Sequence, residues 1–294
     1  MISKTVTNAA GRETPIIAYL GPPGTFSEEA AMAYGSSPQH SSVDYLPLNS
    51  MPAVVTAIET GVATVGVLPI ENALEGSVTT TLDLLIHETD LQICGETVIP
   101  IRLYLVAQPG LTLPQIKVLY AHPQSLGQSR KFVERCLPGV ETLASLSNSA
   151  APTEALTDQR PAAAISTLRA AGLTGAQLLA HDIQDRANNV TRFIALGSEH
   201  CPPTGDDKTS FCFGFHEDRA GTLVGALQEL AQAGINMTKL ESRPSKEVLG
   251  DYIFWADING HQQDVHVVQA LEKIAAKTDL LKVCGSYPRF RGAV

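Results

Sequence analysis

The chain has 294 residues, enough for two domains, or for one large domain and a small one, each with a buried core. Its net charge of -9 argues against nucleic acid or an anionic membrane as the main partner, although a local cluster of donors can still bind a small anion. The five cysteines are scattered and include no CxxC pair, so we expect reduced thiols in a cytoplasmic protein. The polar first residues lack a signal-peptide core, and no apolar run is long enough to cross a bilayer.

From Ile16 to about Gly197, short apolar runs alternate with helical patterns. This alternation predicts an α/β region with a mostly parallel sheet covered by helices. Ligands in such folds bind at the carboxyl ends of the strands, so we look for a site in the polar turns there. The predicted strands are Ile16–Leu20, Val43–Leu48, Thr64–Leu68, Leu91–Val98, Arg102–Ala107 (either paired with the previous strand or continuous with it), Ile116–Ala121, Val140–Leu143, Ala162–Ile165 and Arg192–Leu196.

The segment Ser198–Asp207, SEHCPPTGDD, is rich in proline, glycine and acid, which predicts a linker with a domain boundary near residue 203. After it the pattern changes to the order βαββαβ, which is typical of a ferredoxin-like module. The predicted elements are strands Thr209–Phe215, Ile235–Ser242, Tyr252–Ile258 and Leu280–Gly285, with helices Thr222–Ala233 and Val265–Lys277.

The stretch GPPGTFSEE, residues 21 to 29, directly follows the first predicted strand. A strand, a glycine-rich turn and a helix start usually form an anion-binding site, but this sequence is neither a Walker loop nor GxGxxG. Ser27 is a suitable helix N-cap, with Glu28 and Glu29 in the first turn, so a well-capped helix without a ligand is the alternative. Thr25 and the glycine N–H groups add donors at the same place, which favours a site.

The stretch PIENALEGSVTTTLD, residues 69 to 83, is a second polar turn after a predicted strand. Asn72, Ser77 and Thr79 offer amide and hydroxyl groups to a ligand rich in oxygen atoms. The alternative is that Ser77 and Thr79 only cap the next helix.

Two more turns carry candidate residues. In AHPQSLGQ, residues 121 to 128, His122 is either a base or, as we favour, a capping side chain. In DIQDRANNVTRF, residues 182 to 193, a polar loop leads to Thr191 and Arg192 at a strand start, where Arg192 is equally compatible with a solvated edge position.

The sequence contains no GxSxG, no HExxH and no Cys/His zinc spacing. His261 and His266 lie on or beside a predicted helix of the small module, and we expect both on the surface. We therefore predict no metal site.

Taken together, GPPGTFSEEA, PIENALEGSV, HPQSLGQ and NNVTRF, in this order and spacing, resemble the prephenate dehydratase family. The tail, GINMTKLESRP followed by DYIFWADINGH, is similar to the regulatory ACT domain that this family carries. The resemblance implies two α/β lobes like those of type II periplasmic binding proteins, with the active site between them. It also implies conversion of prephenate to phenylpyruvate, water and carbon dioxide in L-phenylalanine biosynthesis, with no cofactor.

The resemblance also assigns roles to residues. It implies that Thr191 is the catalytic donor to the leaving hydroxyl. It also implies that the anion bound at the GPPGTF loop is a carboxylate of the substrate. The implied substrate-binding residues are Thr25, Ser27, Asn72, Ser77, Thr79, Arg192 and Phe193. The expected domain bounds are 14–200 for the catalytic region, 201–207 for the linker and 208–288 for the ACT domain.

Regulation by L-phenylalanine through the ACT domain follows from the same resemblance, with a homodimer or homotetramer as the expected assembly. The implied effector-binding residues are Gly221, Leu223, Asn236, Leu240, Glu241, Ser242, Arg243 and Pro244.

The chain departs from the family pattern at three informative positions. Ala73 stands where a serine is usual, Ser129 where a cysteine is frequent, and Thr222 where an alanine is common. Arogenate, which carries an amino group in place of the ketone of prephenate, is the alternative substrate. A ligand-binding sensor is the alternative of another class, because a fold alone does not name a function.

Overall fold

The computed structural model describes residues 14–36, 42–215, 219–246 and 250–292. The chain forms two α/β lobes and a smaller α+β domain, each built on its own sheet. No helix in these ranges combines the length and apolar character needed to span a bilayer. All five cysteines are free thiols, as predicted.

The first lobe contains the first five strands of the chain. Its elements are β1 (Ile16–Leu20), α1 (Phe26–Gly35), β2 (Asp44–Leu48), α2 (Met51–Glu59), β3 (Val65–Asn72), β4 (Gly76–Ser77), α3 (Thr79–Asp83) and β5 (Gln92–Pro100). A π-helical turn, Leu84–Glu88, continues α3. Ser50 is the N-cap of α2, because its hydroxyl accepts the N–H of Ala53 at 3.2 Å.

The second lobe follows β5 and is an insertion within the first. Its elements are β6 (Tyr104–Ala107), a 3-10 turn at Leu113–Gln115, β7 (Val118–Ala121), α4 (Pro123–Gln128), α5 (Arg130–Cys136), β8 (Glu141–Ala144), α6 (Ala151–Thr157), β9 (Ala162–Ser166), α7 (Leu168–Thr174) and β10 (Gln177–Ala180). Strand β11 (Val190–Gly197) then returns to the first lobe.

The two lobe sheets have related strand orders, β2-β1-β3-β11-β5 and β8-β7-β9-β6-β10. In each, three parallel strands are followed by one that enters from the other lobe and runs antiparallel to both of its neighbours. The sheets are therefore mixed, and the prediction of one mostly parallel sheet was wrong because the chain crosses between lobes twice. The implied two-lobed fold is confirmed.

The small domain has the predicted βαββαβ order. Its elements are β12 (Asp207–Gly214), α8 (Thr222–Gln232), β13 (Met237–Pro244), β14 (Tyr252–Asn259), α9 (Val265–Ala275) and β15 (Leu280–Pro288). The antiparallel sheet has the order β13-β14-β12-β15, which leaves β13 and β15 at its edges. Both helices pack on one face of this sheet, around Phe211, Phe213 and Ala256.

The opposite face of that sheet packs on the first lobe. Trp255 and Tyr287 belong to the same buried apolar cluster as Leu84 and Ile93 of the first lobe. At Gly285 the backbones come so close that a Cβ atom would lie 2.4 Å from the Ile93 carbonyl oxygen. The first lobe and the small domain therefore share one core.

His261 joins the small domain to the linker. Its side chain is buried, with 1% of the residue exposed, and its Nε2 lies 3.0 Å from the carbonyl oxygen of Cys201. Its Nδ1 accepts the N–H of Gln263 at 3.1 Å. The prediction of a surface position was wrong for His261, whereas His266 is exposed as expected.

Candidate active site

A cleft of about 340 Å³ lies between the two lobes. It is formed where β1, β3, β7 and β8 end, which is where parallel strands usually present ligand sites. Its lining is rich in hydroxyl and amide groups. The lining residues are Leu20, Thr25, Phe26, Ser27, Met51, Pro69, Asn72, Val78, Ile101, His122, Gln124, Ser125, Gln128, Leu146, Ser147, Asn148 and Thr191.

Thr191 lies at the beginning of β11, beside Asn72 at the end of β3. Only 7% of Thr191 is exposed. The Nδ2 group of Asn72 donates a hydrogen bond to Thr191 Oγ1 at 2.8 Å. Because that oxygen accepts from Asn72, the hydroxyl proton of Thr191 remains available for a ligand in the cleft.

The orientation of the Asn72 amide follows from its other hydrogen bonds. Its Oδ1 accepts the backbone N–H groups of Leu74 at 2.9 Å and Glu75 at 3.0 Å, so Nδ2 must face Thr191. Nδ2 also donates to Asn189 Oδ1 at 2.9 Å, and Asn189 donates to Gln128 of the second lobe at 3.0 Å. The donor at Thr191 is thus held by a network that includes both lobes.

The GPPGTF loop differs in detail from its prediction. Thr25, not Ser27, is the N-cap of α1, since the Thr25 hydroxyl accepts the N–H of Glu28 at 3.3 Å. The N–H of Gly24 donates to the Glu28 carboxylate at 2.7 Å and is therefore already engaged within the loop. The group left for a ligand is Ser27, which is in the first turn of α1 and lines the cleft.

Glu28 is a buried carboxylate paired with a residue of the second lobe. Arg169 Nη2 donates to Glu28 Oε1 at 2.8 Å, and Arg169 Nε donates to the other oxygen. Burial raises the pKa of Glu28, but the bonds from Arg169 and Gly24 outweigh it and hold that pKa below its usual value. At Glu29 burial outweighs the attraction of Arg169 and raises the pKa to about 7.

The wall from the second lobe includes the predicted AHPQSLGQ turn. His122 caps α4, as predicted, with Nδ1 accepting the N–H of Gln124 at 3.3 Å. Ser125 donates to Asn148 Oδ1 at 2.6 Å, and both line the cleft. Asn148 was missed, although its segment SNSAAP has the run of small hydroxyl and amide residues that marks a polar turn.

Four of the implied substrate-binding residues lie outside the cleft. Phe193 is buried in the core between the first sheet and α1, and Thr79 is an exposed residue of α3 that does not cap it. Ser77 donates to Glu241 and accepts from Lys239 Nζ at 2.6 Å, both in the small domain. Val78 lines the cleft in their place.

Arg192, the fourth of these residues, lies on the opposite face of β11 from Thr191, with 11% of its side chain exposed. It pairs with Asp257 of the small domain at 2.7 Å and with Glu96 at 3.2 Å. Burial lowers the pKa of Arg192, but the interactions with Asp257, Tyr287 and Glu96 raise it by more than burial lowers it. The net pKa is therefore above its usual value, and the guanidinium is charged. The alternative of a solvated edge position was wrong, because β11 lies between β3 and β5.

The implied effector residues of β13 fall into two sets. Leu240, Ser242 and Pro244 are exposed, whereas Glu241 and Arg243 turn toward the first lobe, where Arg243 Nη2 donates to Asp83 at 2.9 Å. The others lie near the ends of α8 and β13. Gly221 is the left-handed N-cap of α8, Leu223 packs on the small core, and Asn236 is exposed before β13.

The chain has two α/β lobes around a polar cleft and a ferredoxin-like domain packed on one of them. This arrangement defines a class of two-lobed proteins that carry an ACT-type module. The chain belongs to the prephenate dehydratase family, whose model matches residues 17–201, and a model of the ACT domain matches residues 215–276.

Individual relatives agree with this assignment. The chain is 40% identical to a bifunctional chorismate mutase/prephenate dehydratase of Aquifex aeolicus, over 93% of this chain and 73% of that protein. It is 34% identical to a prephenate dehydratase of Corynebacterium glutamicum, over 94% and 88%. The crystal structure of prephenate dehydratase from Arthrobacter aurescens in complex with L-Phe has a TM-score of 0.86 at 34% identity, covering 95% of this chain and 92% of that one.

Proposed function

We propose that this protein converts prephenate to phenylpyruvate, water and carbon dioxide, without a cofactor, in L-phenylalanine biosynthesis. The observation that carries the proposal is the Thr191 hydroxyl, which Asn72 holds at 2.8 Å with its proton available to the cleft. A catalytic region of residues 14–200, a linker of 201–207 and an ACT domain of 208–288 are the proposed units.

The reaction needs a donor more than a strong acid. The bond from the ring to its carboxylate breaks, the electron pair enters the ring, and the ring C–O bond breaks as aromaticity forms. The carboxylate leaves as carbon dioxide, and the hydroxyl oxygen leaves with its electron pair and takes up a proton from solvent to become water. Because the pKa of a threonine hydroxyl is poorly matched to this transfer, Thr191 acts as a positioned hydrogen-bond donor to the developing hydroxide.

A substrate carboxylate is assigned to the first turn of α1. Ser27 provides a hydroxyl there, and the helix start provides N–H groups and a favourable dipole. No lysine is needed, because Arg169 neutralises Glu28, the nearest buried carboxylate of that turn. Ser125 and Asn148 of the second lobe complete the polar wall.

We also propose that L-phenylalanine binds the small domain and inhibits the reaction. The exposed residues of β13 and the left-handed turn at Gly221 are the proposed contacts. The complex of the Arthrobacter aurescens protein with L-Phe supports this effector. The edge strand β13, with Leu240, Ser242 and Pro244 exposed, supports a homodimer or homotetramer, which light scattering on the purified protein would test.

The purified protein should be assayed with prephenate and, separately, with arogenate, following phenylpyruvate and phenylalanine. We expect turnover of prephenate, because the Aquifex aeolicus and Corynebacterium glutamicum relatives are prephenate dehydratases. Preferred turnover of arogenate would identify the alternative substrate. Turnover of neither would contradict the proposal and favour a ligand-binding sensor.

A further inference from the structure

We propose that Arg169, from the second lobe, is a positioning residue that cancels the charge of Glu28 and so makes the first turn of α1 able to receive an anionic substrate. The inference rests on the proposed function, because it assumes a substrate carboxylate at that turn. Arg169 itself is not among the residues that line the cleft.

The need for Arg169 comes from the position of Glu28. This residue follows Ser27 directly, and only 7% of its side chain is exposed. The N–H of Gly24 binds the same carboxylate and stabilises its ionised form. Without a cation, this buried negative charge would oppose a carboxylate that binds at the neighbouring Ser27, because screening by water is weak inside the protein.

Hydrogen bonds and close packing hold the start of α7, which carries Arg169, against the GPPGTF loop. Thr167, the N-cap of α7, donates from its hydroxyl to the Gly24 carbonyl oxygen at 2.6 Å and accepts the N–H of Ala170 at 3.0 Å. Gly24 has φ +87, and a Cβ atom there would lie 2.9 Å from the Ala170 Cβ. The start of α7 is therefore docked on the GPPGTF loop, and the substrate-binding turn depends on a residue of the opposite lobe.

A purely structural salt bridge would give a different set of variant phenotypes. If Arg169 only stabilised the fold, its loss would lower the melting temperature and leave the KM of the folded protein unchanged. If it cancels the charge of Glu28, its loss would raise the KM, and removing the Glu28 charge as well would restore it.

The test compares Arg169→Met, Glu28→Gln and the double variant with wild type in steady-state prephenate turnover, with thermal unfolding of each. We expect Arg169→Met to raise the KM roughly 10- to 100-fold with kcat nearly unchanged. The double variant should return the KM to within about threefold of wild type, because glutamine can still accept the Gly24 N–H without a charge. Arg130→Met is the matched control, since Arg130 is an exposed arginine of the second lobe that pairs with Glu134 at 2.7 Å and not with Glu28.

A wild-type KM in Arg169→Met, or a raised KM that Glu28→Gln does not reverse, would overturn the role of Arg169 while leaving the proposed function intact. Wild-type protein that does not turn over prephenate would overturn both. Should Arg169→Met fail to fold, the double variant decides: a KM near that of wild type supports charge cancellation, and a raised KM contradicts it.

Discussion

The first lobe has two interfaces, and they differ in kind. Toward the second lobe it presents a polar cleft of about 340 Å³, bordered by side-chain contacts such as Arg169 with Glu28. Toward the small domain it shares an apolar cluster that contains Trp255 and Tyr287, closed by buried ion pairs. The first interface leaves space for a ligand, whereas the second joins two domains into one packed unit.

Strand β11 belongs to both interfaces. Thr191 faces the cleft, and the next residue, Arg192, faces the small domain, because successive side chains of a strand point to opposite faces. The residue proposed for chemistry is therefore separated from the regulatory domain by one peptide unit. Substitutions on each side can test whether the two faces have separate roles, and the largest effect is expected at Arg192.

Replacing Arg192 by methionine tests the interface with the small domain. The change leaves Asp257, with 1% of its side chain exposed, without the guanidinium that pairs with it, whereas Glu96 keeps its pair with Lys208 at 2.7 Å. We expect a loss of about 3–5 kcal/mol in the free energy of unfolding, measured by urea denaturation. Arg130→Met, which removes an exposed pair with Glu134, should cost less than about 0.5 kcal/mol, and an equal loss in both variants would contradict the difference between buried and surface pairs.

Replacing Thr191 by alanine tests the opposite face of the same strand. We expect a loss of roughly a hundred- to a thousandfold in kcat, because the positioned donor to the leaving hydroxyl is removed. Stability should change by less than that of Arg192→Met, since no charge is left unpaired. Rates and urea unfolding are measured on the same preparation, and near-normal turnover in folded Thr191→Ala would remove Thr191 from the mechanism.

Replacing Lys239 by methionine tests whether the two interfaces communicate. Lys239 Nζ donates to Glu71 at 3.0 Å and to Ser77 at 2.6 Å, and Glu71 immediately precedes Asn72. We expect L-phenylalanine still to bind but to inhibit less, with the coupling free energy of about 1–3 kcal/mol reduced. Calorimetry measures binding, and the dehydratase assay measures inhibition.

Lys282→Met is the matched control for Lys239. Lys282 also reaches from the small domain to the first lobe, where it donates to the carbonyl oxygen of Thr89 at 2.6 Å, remote in sequence from Asn72. Inhibition should survive this change. If both variants lose inhibition equally, coupling is spread over the whole interface and does not depend on Lys239.

Replacing Thr25 by alanine should have the smallest effect. Thr25 caps α1 and also donates to the carbonyl oxygen of Leu20 at 3.3 Å, so we expect about 1 kcal/mol less stability. Thr25→Ser keeps the cap and should lose less. A rise in KM in the alanine variant without loss of stability would show that the hydroxyl serves the substrate instead of the helix.

Local patterns predicted the order of the elements well. Alternating apolar runs located most strands, and the pattern after the linker correctly predicted the βαββαβ order of the small domain. The second lobe's insertion was not predictable, because nothing in the pattern of β5 and β6 shows that they enter different sheets. The burial of His261 was equally hidden, since its partner, the carbonyl of Cys201, is 60 residues away.

The sequence predicted which turns form the candidate site, but it did not predict which side chains of those turns face the cleft. Thr191, Asn72 and Ser27 line the cleft, whereas Ser77 and Arg192 contact the small domain. The two-residue period of a strand indicates that Thr191 and Arg192 cannot both face one ligand. Which of the two does so depends on what covers each face of the sheet, and that is a tertiary property.

The close approach at Gly285 has a consequence for engineering. Cutting the chain in the linker to obtain an enzyme insensitive to its effector would expose Leu84 and Ile93 on one fragment and Trp255 on the other. Exposed apolar surfaces of this kind promote aggregation. Release from feedback is therefore better sought by single substitutions among the exposed residues of β13 than by truncation, because the regulatory domain also covers the apolar core of the first lobe.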